Sequence, residues 1–509
     1  MKYLSIVTIA PFVGALIVAM VPRSKGSLAK LIALIWSLAI LAWTVAAWVA
    51  YKPSGARLQL VESYPWIAEW GVRFTFGVDG IALVMLALTA VLTPLVVLAS
   101  WDDAKRTNRS EPAYFALILA LQGSMIGTFT AADVFLFYVF FELMLVPMYF
   151  LIGSYGDGQK QRQYAAVKFF LYSLVGGLLM LAAVIGLWVA GGHNFDWQTL
   201  TSAEFSQSTE RWLFLGFFMA FAIKAPFFPF HTWLPDAGGA APAGAAALLV
   251  GVMDKVGTFG ILRYCLPLFP NASKYFAPLA ITLALVGIVY AALLAVGQND
   301  LKRLVSYTSI AHFGFIGIGI FAFTTPAGSG AVLYMVNHGL ATGLLFLVVG
   351  MLVTRRGSAL VSDFGGAGKL VPVLAGVFFI AGLASLALPG LAPFVSEFLV
   401  LVGVFSVNKV VAVIATAGIV LAAAYVLWMI QRTTQGTTNP ALAEIGAMRK
   451  DLTLREAAVV TPLIVLLLVL GFYPKPVLDV INPAVQATLT QDLGTTDPAP
   501  KVSTVEANK

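Results

Sequence analysis

Six side chains stand where a strongly apolar sequence has little reason to carry them. Glu142, Lys224, Lys255, His312, His338 and Glu397 all lie inside or beside long hydrophobic runs. A charge near the middle of a membrane helix costs about 2.5–3.5 kcal/mol on the insertion scale, so such residues mark functional sites by default. Their types are those that exchange protons: carboxylates, amines that shed a proton when poorly solvated, and imidazoles that titrate near neutrality. Glu142, in FLFYVFFELMLVPMYF, has Tyr138, Val139, Leu145 and Val146 as its helical neighbours. Its countercharge has to come from another helix, and Lys224 is the obvious candidate. Lys224 is followed at once by Pro226, Pro229 and Pro235 in FAIKAPFFPFHTWLPD, which break the helix beyond it. Lys255 lies mid-run in LLVGVMDKVGTFGIL. Asp254 beside it points about 100° away around a helix and need not be its partner, so its role stays open.

His312 shares a helical face with Thr308 and Ser309, and His338 shares one with Tyr334 and Thr342. A lone membrane histidine can simply bond a backbone carbonyl; two, each with hydroxyl companions, read as a relay. Glu397 follows a second Pro/Gly interruption, PGLAP at 389–393. The implied mechanism is electrostatic: a carboxylate near Lys224 favours its ammonium, and drawing that charge away in a dry site expels the proton. Glu142 is then the switch, Lys224 and Lys255 the carriers, the histidines the bridge and Glu397 the exit. The competing reading is a Glu142–Lys224 ion pair that only locks two helices together.

Such residues need a bilayer-embedded scaffold, and the composition supplies one. The chain has 509 residues, 60% hydrophobic and 11% charged, with a mean hydropathy of +0.89. That is far below the roughly 25% charge of a soluble domain. Runs of about 20 apolar residues recur about fourteen times, which predicts an all-α polytopic membrane protein. Two of the runs contain the Pro/Gly breaks. Interrupted helices at corresponding places in two halves point to inverted repeats with an ion site at the breaks. Glu142 maps onto His312 and Lys224 onto Glu397, giving two five-helix repeats. The expected divisions are 1–110 for three N-terminal helices, 111–267 and 272–433 for the repeats, and 434–509 for a last helix and polar tail.

Lys and Arg concentrate in the odd-numbered connections, which places those loops in the cytoplasm and both termini outside. The segment LQLVESYPWIAEWGVRFTFGVDG alternates and predicts a surface hairpin. The tail from about residue 488 reads as disordered. The net charge of +7 has no basic cluster with interleaved aromatics, so the partner is the lipid bilayer rather than nucleic acid. GGAGKL at 365–370 lacks the first glycine and the Ser/Thr of a phosphate loop. Cys265 is the only cysteine, which excludes an intrachain disulfide and a cysteine-held cluster. His231 near Asp236 is weak evidence for a site. No redox chemistry and no metal or cofactor are expected in this chain.

The ordered motifs FFELMLVPMYFLIG, KAPFFPFHTWLPDA, DKVGTFGILRY, NDLKRLVSYTSIAHFGF, YMVNHGLATGLLFLVVG and LPGLAPFVSEFLVL resemble the antiporter-like membrane subunits of respiratory complex I. The acid at Glu397, and an end soon after the last span, point to the branch that includes mitochondrial subunit 4 rather than to subunits N or L. The resemblance implies a proton channel in the membrane arm of NADH:quinone oxidoreductase, driven by quinone reduction elsewhere. It puts the family's proton-carrying residues on Glu142, Lys224, Lys255, His312, His338 and Glu397, with Tyr334, Thr342, Thr308 and Ser309 as polar support. FMN, iron–sulfur clusters and quinone would belong to other subunits, antiporter-like subunits L and N would be neighbours, and the site of action would be a bacterial inner membrane. After HTWLPDA the family often continues with a His or an acid, whereas here GGAAPAGAAA follows. The alternatives are a subunit of a multisubunit sodium/proton antiporter, a non-conducting scaffold and a solute permease.

Overall fold

Backbone polar groups cannot go unpaired in hydrocarbon, so an apolar chain of this kind satisfies them within helices. The computed structural model describes residues 2–498, and the helices that matter are taken in chain order. They begin with α1 (Tyr3–Ala19) and α2 (Gly26–Ala50), followed by a two-stranded antiparallel hairpin, β1 (Gln59–Ile67) and β2 (Val72–Val78). Next come α3 (Gly80–Ala99), α4 (Glu111–Thr130), α5 (Val134–Tyr155) and α6 (Gln159–Ala190). The first broken helix is α7 (Gln207–Lys224) with α8 (Trp233–Ala240). Then follow α9 (Ala243–Leu268), α10 (Pro270–Val296), α11 (Leu301–Phe321) and α12 (Thr325–Arg356). The second broken helix is α13 (Pro372–Ser385) with α14 (Ala392–Val407), before α15 (Lys409–Thr434), α16 (Leu454–Phe472) and α17 (Lys475–Ala487).

Among the described residues, eleven helices are long and apolar enough to cross a membrane, and α1, α13 and α14 are shorter apolar helices. The hairpin expected before α3 is present. Helix starts are set by side-chain caps: Asp79 accepts from Ala82 N at 2.8 Å, Asp133 from Leu136 N at 2.9 Å and Asp300 from Arg303 N at 2.9 Å.

The breaks are real but lie slightly away from where the prolines alone put them. Residues 225–232 separate α7 from α8, and Pro235 sits in the first turn of α8. Residues 386–391 separate α13 from α14, and Pro393 is in the first turn of α14. A proline in the first turn removes an N–H that has no intrahelical partner anyway, so it starts a helix as readily as it stops one. The second linker turns through left-handed backbone at Ala387 (φ 59°) and Gly390 (φ 96°).

Contacts sort the connections between two ends. At one end Arg455 meets Asp102 at 2.8 Å, Arg355 meets Glu456 at 2.7 Å, Lys302 meets Asp157 at 2.6 Å and Arg303 meets Asp236 at 2.5 Å. At the other end Leu4 N donates to Glu62 at 2.8 Å, Ala132 N to Thr75 O at 2.8 Å and Trp197 Nε1 to Arg263 O at 2.7 Å. Odd-numbered connections therefore share one end, and the start of the first helix and the described residues after α17 share the hairpin end. The tail departs from expectation: Thr488–Asp492 continues as a helical turn. It is held by Arg57 on Asp492 at 2.7 Å, and further along Thr325 N reaches Asp497 at 2.7 Å. The remainder of the expected disordered tail, 499–509, lies outside the described residues.

Burial separates the centre from the periphery. All of the most apolar stretch of α9 is buried, and 94% of that in α11 and α12, against 28% for α2 and α16. The three most enclosed helices carry Lys255, His312 and His338.

Candidate functional site

Glu142 is half-buried on α5, one turn before the proline of LVPMYF. Gly177 of α6 makes room for it, since a Cβ there would collide with the carboxylate. Lys224 ends α7 and is fully buried. The helix stops there because Pro226 follows, and Trp233 Nε1 of α8 donates back to Ile223 O at 2.8 Å, satisfying a carbonyl the break would orphan. The Lys224 ammonium also sits at the negative end of the α7 dipole. Its Nζ lies 4.9 Å from the centre of the Phe141 ring and 5.7 Å from that of Phe169. The expected Glu142–Lys224 ion pair is not closed: Nζ reaches the residue next to Glu142, and neither it nor Glu142 Oε1 has a hydrogen-bond partner.

Lys255 occupies the hub of the site. Its Nζ is 2.7 Å from His338 Nδ1 of α12 and 3.1 Å from Asp254 Oδ1, and it also donates to Val250 O. Asp254, left open by the sequence, is its partner: the two are an ion pair with both side chains fully buried. The reason is local. Leu249–Met253 is a π-helical turn, with Asp254 N bonded to Leu249 O at 3.1 Å, and the long Lys255 chain turns back along the helix to reach both Val250 O and Asp254 Oδ1.

From Lys255 the line continues across α12 and α11. The His338 ring stands perpendicular to that of His312 at 5.2 Å, and His312 lies 5.8 Å from the Tyr334 ring. Tyr334 donates its hydroxyl to Glu397 Oε2 of α14 at 2.7 Å. The supporting hydroxyls divide. Thr308 turns back to Val305 O at 2.7 Å and is satisfied, whereas Ser309 and Thr342 are buried without a protein partner. His338 Nε2 and His312 Nδ1 are likewise buried and unpartnered. The structure thus joins Asp254, Lys255, His338, His312, Tyr334 and Glu397 in one buried row, and sets Glu142 and Lys224 apart from it.

The two groups are close at the backbone. Gly257 of α9 lies against the end of α7, where a Cβ would fall 2.5 Å from Phe221 O and 2.6 Å from Ala225 N. His231, in the first break, is buried against Phe228 and Tyr290 and does not pair with Asp236. Asp236 instead binds Lys168 at 2.7 Å and Arg303 at 2.5 Å, on the wall of a cavity of about 560 Å³ at the end shared by the odd-numbered connections. Sequence reasoning also missed Asn337. Its Nδ2 donates to Ala392 O at 2.8 Å and to Ser396 Oγ at 3.3 Å, fixing the start of α14 against α12. An amide beside His338 in an apolar run was the available signal.

Comparison with known proteins follows the same residues. Residues 131–422 match the membrane-domain model described as NADH:quinone oxidoreductase/Mrp antiporter, and 27–128 match the amino terminus of NADH-ubiquinone oxidoreductase chain 4. The chain belongs to this family. NADH-quinone oxidoreductase subunit M of Mycobacterium tuberculosis is 47% identical, with 98% of this chain and 96% of that protein covered. NADH-ubiquinone oxidoreductase chain 4 of Arabidopsis thaliana is 37% identical over 95% of this chain and 96% of its own length. Among solved structures, a chain of respiratory complex I from Thermus thermophilus with bound NADH superposes with a TM-score of 0.86 at 29% identity, covering 97% of this chain and all of that one. The relatives are of the subunit M and chain 4 type, the branch indicated by Glu397.

Proposed function

We propose that this chain is the proton-translocating subunit of the M type in the membrane arm of an NADH:quinone oxidoreductase, complex I. The observation that supports it best is the row from Asp254 and Lys255 through His338, His312 and Tyr334 to Glu397, which crosses three buried helices and ends on the second broken helix. A proton taken up by Lys255 passes to His338, across to His312, and leaves by Tyr334 and Glu397. Buried polar atoms without protein partners along the row suit water bridging the steps that side chains do not span. Lys224 and Glu142 form the input half, and a change of charge at Glu142 controls whether Lys224 holds its proton.

In this reading the chain forms two inverted repeats, 111–267 and 272–433, after the helices of 1–110 and before the segment 434–509, with fourteen crossings in all. The basic odd-numbered connections face the cytoplasm of a bacterial inner membrane, both termini lie outside, and the cavity beside Asp236 is the proton inlet. Other complex I subunits are its partners, with antiporter-like subunits L and N flanking it. The FMN, iron–sulfur clusters and quinone belong to other subunits of the complex.

The test is His338→Ala in the native host, assayed in inverted membrane vesicles. The complex assembles and NADH-driven acidification through this subunit is lost; acidification equal to the parent would contradict the reading. The family description also includes Mrp antiporters. A sodium/proton antiporter subunit would instead show normal NADH-driven acidification and a loss of sodium or alkali tolerance when the chain is deleted.

A further inference from the structure

We propose that Asp254 is a positioning residue for proton transfer, the counter-ion that holds Lys255 as an ammonium and so sets the point at which it hands its proton to His338. The proposal rests on the proton-line reading above and extends it to a residue outside that scheme.

Three observations carry it. First, Lys255 Nζ has three acceptors, Asp254 Oδ1 at 3.1 Å, His338 Nδ1 at 2.7 Å and Val250 O. An ammonium has three N–H donors and a neutral amine two, so this arrangement suits the charged lysine, with His338 accepting at Nδ1. Second, Asp254 Oδ2 is buried with no hydrogen-bond partner, and Lys255 is the one side chain bonded to the carboxylate among the described residues. Third, the Lys255 chain turns back along α9 past the π-helical turn, so that one ammonium meets the Asp254 carboxylate, the Val250 carbonyl and the His338 ring. In the transfer, an Nζ–H bond breaks and an Nδ1–H bond forms. Lys255 is left as a neutral amine and His338 as an imidazolium, while Asp254 keeps its charge throughout and opposes the separation.

The other groups around the pair are few. His338 faces it from α12 and His312 stands behind from α11. Lys224 ends α7, which touches α9 at Gly257. Glu142 of α5 packs against Gly177 of α6 instead. The sequence of α3 holds no titratable side chain. On α4, Phe129 meets Phe259 of α9 at 5.1 Å, and the titratable side chains of α4 are Glu111, which pairs with Lys30 at the start of the helix, and Tyr114, which bonds Asp103.

The experiment compares Asp254→Asn, Asp254→Ser and Asp254→Glu in the native host, with Lys255→Ala as reference. NADH-driven acidification per NADH oxidised is followed against pH in inverted vesicles. Without the carboxylate the ammonium is less favoured, so the alkaline limb of the profile moves to lower pH by about one unit or more in the neutral variants, and Asp254→Glu restores it. Neutral variants that superpose on the parent profile would overturn the proposal. So would failure of both neutral variants to assemble, because the carboxylate would then serve the folding of α9. If Lys255→Ala itself leaves acidification unchanged, the proton-line reading fails; if it abolishes acidification while the neutral variants match the parent, only the counter-ion proposal fails.

Discussion

At the residue scale, the Tyr334 hydroxyl is the one direct side-chain bond to Glu397 among the described residues. A hydrogen bond to a charged group contributes about 1.5–3 kcal/mol. Tyr334→Phe is therefore expected to slow proton release by about tenfold or more if most of that is expressed at the barrier. Acidification by inverted vesicles, normalised to assembled complex, measures it. Glu142, Lys224, Lys255, His312, His338 and Glu397 were legible in the sequence because charge in an apolar run has no cheap explanation. Asp254 was not. Its partnership depends on how the Lys255 chain turns back along the helix, which leaves no mark in residue type, and an ideal helical wheel points it away from its neighbour. The Glu142–Lys224 pairing expected from the sequence also fails at contact distance, because side-chain reach across a helix interface is a tertiary fact.

At the element scale, function depends on how closely two helices approach. Gly257 lets α9 lie against the last turn of α7, beside Lys224. Gly257→Val forces methyl groups into Phe221 O and Ala225 N and is expected to destabilise by about 1–3 kcal/mol, as overpacking does. It separates the input and output groups at their junction, so both the thermal stability of the complex and its acidification fall. Preserved pumping with lowered stability would show that this junction is not on the proton route. The existence of both broken helices was readable from prolines. Their limits were not, since Pro235 and Pro393 begin helices here rather than end them. The hairpin was readable from its alternation and proved to be one, whereas the turn at Thr488–Asp492 is ordered by Arg57, more than 400 residues away in sequence.

For the whole molecule, composition and loop charge went furthest. They gave an all-helical membrane bundle with its basic connections gathered at one end, and the end-to-end contacts agree. What they could not give is how the ends are clamped. Arg263 of α9 and Asp79, the cap of α3, form an ion pair buried at the hairpin end, with the Arg263 guanidinium 4.2 Å from the Trp197 ring. Removing one partner of a buried pair leaves an uncompensated charge and costs about 3–5 kcal/mol. Asp79→Ala is expected to lower the yield of assembled complex on native gels, and an added Arg263→Met to recover much of it. An unchanged yield in the single variant would mean that the clamp is dispensable.

The central claim is that charge at Glu142 governs a proton line linked to quinone reduction. The direct measurement is Glu142→Gln in the native host, with NADH oxidation and NADH-driven acidification recorded together in inverted vesicles. The account predicts loss of both while the complex remains assembled. Normal oxidation and normal acidification in the assembled variant would contradict it.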